Sequence, residues 1–103
     1  MDNPVAASVI EPVGALRACL RATFEEIPAL RLRLLDGPRR TVVASWGGRG
    51  TWAAWVVAVA PDGYVWLLGA EIGMVSRFAA ESAAIGQYEG FVAELHGGQE
   101  DAA

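Results

Sequence analysis

Trp52-Ala53-Ala54-Trp55-Val56-Val57-Ala58-Val59-Ala60-Pro61-Asp62-Gly63-Tyr64-Val65-Trp66-Leu67-Leu68-Gly69-Ala70 is a pair of almost unbroken apolar runs around a turn. Pro61-Asp62-Gly63 suits a three-residue hairpin loop with glycine at the left-handed position, so residues 51–60 and 64–70 read as neighbouring antiparallel strands. With Ala60 paired to Tyr64, one face carries Trp52, Ala54, Val56, Ala58, Trp66 and Leu68. The other carries Ala53, Trp55, Val57, Val59, Val65 and Leu67. A strand with one wet face alternates apolar and polar residues, and this hairpin does not, so both faces call for a cover. The stretch also has the length of a membrane span, but a turn and a charge at its midpoint argue against that reading.

Working outward, Asp36-Gly37-Pro38 and Gly47-Gly48-Arg49-Gly50 are turn chemistry, and they bound a strand over about 39–46. The second of these loops has no following helix and no Lys-Ser/Thr pair, so it reads as a hairpin connection rather than a phosphate cradle. Residues 29–35 alternate Leu30, Leu32 and Leu34 with Arg31 and Arg33, the signature of a strand with one wet face. Before it, Val13, Leu16, Leu20, Phe24 and Ile27 recur at helical spacing from Pro12 to Ile27, with Pro28 closing the helix. After Gly73 the period lengthens again. Ser76 suits an N-cap, and Phe78, Ile85, Tyr88, Phe91, Val92 and Leu95 form the stripe of a helix that stops at Gly97-Gly98.

The expected fold is therefore α+β: an N-terminal helix, a four-stranded antiparallel β-meander and a C-terminal helix packed on one sheet face. In domain terms, 1–11 is an N-terminal arm, 12–97 a single domain and 98–103 a disordered tail. Short connections favour antiparallel neighbours, and two helices on the same sheet face would leave the other open. An open apolar face of that size marks an interface or a ligand groove.

Composition limits the function classes. With 103 residues and 53% hydrophobic side chains, the chain is one globular domain. All eight basic residues are arginine, which fits a GC-rich coding bias, and the net charge of −4 disfavours a general nucleic-acid binder. Five arginines lie between Arg31 and Arg49 against Asp36 alone, whereas seven acids follow from Asp62 onward against Arg77. The lone Cys19 and the absence of a basic and apolar leader pattern point to the cytoplasm.

Candidate chemistry is sparse. One His and one Cys build no recognisable metal set, so neither metal nor cofactor is expected. His96 fits the end of a helix, Glu25 and Glu26 a solvated helix edge, and Glu71 the end of a strand. Ser45, Ser76 and Ser82 lack a nucleophile elbow. The chain thus leans away from an enzyme. Trp46, Trp52, Trp55 and Trp66 concentrate on adjacent strands and, with Arg31 and Arg33, are the candidate partner-binding residues, since Trp and Arg dominate interface hot spots.

The helix at Pro12 to Ile27, the strand Leu30-Arg31-Leu32-Arg33-Leu34 and the turn Pro61-Asp62-Gly63 give an order that resembles the small acidic bacterial type III secretion chaperone-like proteins, including the YbjN group. The resemblance covers Pro12 to Leu95 in architecture, and it implies a dimeric, non-enzymatic protein that binds another polypeptide. The expected function is a small interaction module, chaperone-like or accessory, that forms a homodimer or binds a partner chain through an apolar, Trp-rich sheet face. The alternative is a small-ligand protein or small enzyme with an apolar cleft between sheet and C-terminal helix, using Glu71 or His96. A third reading has Glu81, Glu89 and Glu94 blocking a basic partner.

Overall fold

The computed structural model describes residues 9–102, so residues 1–8 of the expected arm and residue 103 of the expected tail lie outside the described residues. The elements are α1 (Pro12–Thr23), β1 (Arg31–Asp36), β2 (Thr41–Gly48), β3 (Thr51–Val59), β4 (Val65–Met74) and α2 (Arg77–Ala102). The four strands form one antiparallel meander in the order β1-β2-β3-β4. The α+β architecture is as expected.

Helix α1 opens with Pro12 at its first position, and the Glu11 carboxylate accepts from Val13 N–H at 3.1 Å and Gly14 N–H at 2.6 Å. That satisfies donors that no intrahelical carbonyl can reach. The helix ends at Thr23, four residues before the expected Ile27, because Phe24 turns extended (φ −117°, ψ 137°). Its ring leaves the helical stripe to lie 6.1 Å from Trp46 and 5.8 Å from Trp55. Three aromatic rings packed together outweigh one more turn of helix.

The hairpin at the centre has the expected geometry. Ala60 N–H donates to Tyr64 O at 2.8 Å, and Gly63 takes φ 94°. In the loop between β2 and β3, Arg49 (φ 55°) and Gly50 (φ 77°) are the two central residues, both left-handed, as a two-residue primed turn requires. The fourth strand runs beyond the expected Ala70 to Met74 by means of a bulge. Ile72 and Gly73 together oppose Ala53, and a second bulge places Leu68 as the extra residue between Gly69 and Leu67.

One expectation is overturned. The helices do not share a sheet face but lie on opposite ones. Leu16 and Leu20 of α1 pack with Val42, Ala44, Val57 and Val59, whereas Ala80, Ala84 and Tyr88 of α2 pack with Val43, Ala54 and Val56. Neighbours in sequence such as Val42 and Val43 thus enter separate cores. The physical reason is the doubly apolar hairpin itself: each face gains a cover when each helix takes one. Covering is unequal, since the twelve residues of α1 lie over β1, β2 and β3, while α2 lies over β4, β3 and β2.

The stripe of α2 also differs from expectation. Its buried line is Ala80, Ala84 and Tyr88, and Phe78 stands 80% exposed. Two residues from Ala80 is about 200° around a helix, so Phe78 faces away once the alanines face the sheet. Small residues let the helix approach closely. Opposite them, a Cβ on Gly69 would meet Ala84 O at 2.4 Å. The helix backbone continues through Gly97-Gly98 to Ala102.

Candidate functional site

The six candidate partner-binding residues are divided between the two faces. Trp46 and Trp55 stack edge to face at 5.4 Å beside Phe24 on the α1 side. Trp52, Trp66, Arg31 and Arg33 belong to the α2 side. There Arg77 lies over the Trp52 ring, 4.5 Å from its centroid, a cation–π contact.

Arg77 also organises a polar anchor for the start of α2. Its Nη1 donates to Ser45 O at 3.2 Å and to Ser45 Oγ at 2.9 Å, and its Nη2 donates to Ala29 O at 2.6 Å. Ser45 Oγ in turn donates to Glu81 Oε2 at 2.5 Å, and Arg33 Nη2 donates to Glu81 Oε1 at 3.3 Å. Burial, then the charge of Arg31, holds the Arg77 guanidinium below its ordinary pKa, with Glu81 opposing both. Ser45 is wholly buried and its hydroxyl both donates and accepts, so the cluster fastens helix to sheet and presents no nucleophile. Glu81 is thereby removed from the acidic set proposed to meet a basic partner.

Further along α2 the helix and sheet diverge into a groove of about 260 Å³. Trp66, Leu68, Phe91, Val92 and Leu95 wall it, and Arg39, Thr41, Tyr88 and His96 supply its polar groups. Tyr88 O–H donates to Asp36 Oδ2 at 2.9 Å, while Arg39 Nη1 donates to Tyr88 Oη at 3.4 Å and lies 3.5 Å from Asp36 Oδ2. The Tyr88 hydrogen bond, above all, holds Arg39 above its ordinary pKa. Thr41 is 0% exposed, and its Oγ1 has no hydrogen-bond partner. Of the two residues expected at such a cleft, His96 lines it and Glu71 does not. Glu71 Oε2 instead accepts from Gln87 Nε2 at 2.7 Å.

The third feature is the outer edge of β4. The Ala60–Tyr64 hydrogen bond fixes the antiparallel alternation, so the main-chain groups of Val65 and Leu67 point away from β3. Beyond the bulge, the outward groups of Ala70 are taken by one side chain of α2. Ala70 N–H donates to Gln87 Oε1 at 3.1 Å, and Gln87 Nε2 donates to Ala70 O at 2.9 Å. Gln87 thus substitutes for a neighbouring strand at one point of the edge. The opposite edge, β1, carries Arg31, Arg33 and Asp36, charges that discourage pairing.

The chain matches no family model, no curated protein and no solved structure. Among the described residues no group of three or more His, Cys, Asp or Glu could hold a metal ion, and no helix is long and apolar enough to cross a membrane. Cys19 is free and exposed.

Sequence reasoning missed Thr41 and Gln87. Thr41 carried a signal, since it is the polar residue opening the apolar run Thr41-Val42-Val43-Ala44. For Gln87 there was none, because its role depends on where α2 crosses β4.

Proposed function

We propose that this chain is a non-enzymatic interaction module that pairs with a second copy of itself through the first half of β4. The carrying observation is the main-chain edge at Val65 and Leu67, unpaired among the described residues and flanked by exposed apolar side chains. Leu67 is 55% and Trp66 58% exposed, and Tyr64 packs against Trp66 at 5.6 Å. Two such edges are self-complementary. In an antiparallel pair related by a two-fold axis, Val65 of one copy exchanges hydrogen bonds with Leu67 of the other, and the two Trp66 residues meet at the axis.

Charge favours this edge over β1, which two arginines would set against their own copies, whereas β4 carries only Glu71. Three residues of strand fall short of the roughly 800 Å² per partner that a stable interface buries. Tyr64 and Trp66 are exposed apolar residues available to extend the contact. The resemblance to chaperone-like dimers is consistent with the same reading.

The test is the mass in solution by light scattering at micromolar concentration. Wild type is expected as a dimer. Leu67→Asp, which places like charges next to the axis at an exposed position, is expected as a folded monomer, weakened by about 2 kcal/mol or more in association. A wild type that stays monomeric, or a Leu67→Asp variant that still dimerises, rejects the proposal.

A further inference from the structure

We propose that the groove under the C-terminal half of α2 binds one medium-chain aliphatic carboxylate. Its tail lies along Trp66, Leu68, Phe91 and Leu95, and its head meets Thr41 and Arg39.

Three observations lead there. The first is shape and lining: about 260 Å³ is slightly smaller than drug-sized ligand pockets, which run from about 300 Å³ upward, and five of the walls are apolar side chains. That suits a slender aliphatic tail rather than a large or polar ligand. The second is Thr41. A buried hydroxyl without a partner costs about 1–3 kcal/mol, and native interiors rarely leave one so. Its Oγ1 is the one buried side-chain N or O atom without a partner among the described residues, and Thr41 is one of the residues that line this groove. A ligand head that accepts its proton removes the cost.

The third is charge. Among the described residues that line the groove there is no carboxylate, whereas Arg39 and His96 both stand there. Asp36, beside Arg39, already accepts from Tyr88 and pairs with Arg39. Among the described residues Arg39 spends only Nη1 on these partners, leaving donors of its planar fork for a second acceptor. A cationic head would meet no carboxylate among the described lining residues, and a neutral one would leave the guanidinium unused.

The experiment titrates the full chain with decanoate, decanol and decyltrimethylammonium, followed by tryptophan fluorescence and calorimetry. Decanoate is expected to bind saturably, one molecule per chain, and at least tenfold more tightly than either analogue, a difference of about 1.4 kcal/mol. Thr41→Val keeps the shape and is expected to bind decanoate about tenfold more weakly. Arg39→Gln should likewise abolish the preference for the carboxylate. Equal binding of all three amphiphiles, or no saturable signal below the concentration at which decanoate forms micelles, overturns the proposal. The same titration on Leu67→Asp keeps the result independent of self-association, since that residue is outside the groove.

Discussion

Gly69 shows how much one missing side chain determines. It is buried on the α2 side of β4, where an added Cβ would come within 2.4 Å of Ala84 O and 3.3 Å of Gln87 Cβ. The first of these is backbone and cannot rotate away. Gly69→Ala therefore pushes α2 off the strand, and we expect a loss of about 1–3 kcal/mol, read as a lower urea midpoint. An unchanged midpoint would mean that the helix is less firmly seated than its contacts indicate. The same displacement should break the Gln87 contacts to Ala70. Glycine at this position was visible in the sequence, but its partner lies across the sheet in another element, so the requirement was not. For the same reason the link between Ser45 and Glu81, 36 residues apart, could not be read from either residue alone.

Among the elements, the central hairpin was the most legible, because strand periodicity and turn chemistry are local. Its two faces, the left-handed Gly63 and the Ala60–Tyr64 pairing all follow from residues adjacent in the chain. The end of α1 was less legible, since Phe24 fits the helical stripe and leaves it only for Trp46 and Trp55. The edge of β4 was not legible at all. Gln87 occupies both outward groups of Ala70, which confines any strand addition to the Val65–Leu67 half. Gln87→Ala, at an exposed helix position, is expected to leave the fold intact and lengthen the available edge. The outcome to look for is a concentration-dependent rise in mass beyond the dimer and faster aggregation on storage, and a variant indistinguishable from wild type would show that the bulges alone protect the strand.

At the scale of the whole molecule, the sequence indicated the doubly apolar sheet but not how it is covered. Helical stripes state that a helix has a buried face without stating which sheet face receives it. The arrangement of helix, sheet and helix gives two cores, one held by the twelve residues of α1 and the other by α2 with its polar anchor. Leu20→Ala removes a fully buried side chain from the α1-side core, at a cost of about 2–5 kcal/mol. In hydrogen exchange, the amides of α1 are expected to lose protection well before those of β3 and α2. Uniform loss across all elements would instead indicate a single cooperative unit.

That division has a consequence for how the chain can vary. Because Val42 and Val43 point into different cores, the sheet acts as a partition, and changes of volume on one side are felt only weakly on the other. Each compartment can then be repacked under its own constraint. The side bearing the groove and the Gln87 contact can be kept under tight selection while the α1 side drifts, so a divergent relative of this protein would be recognised by one half of its interior and not by the other.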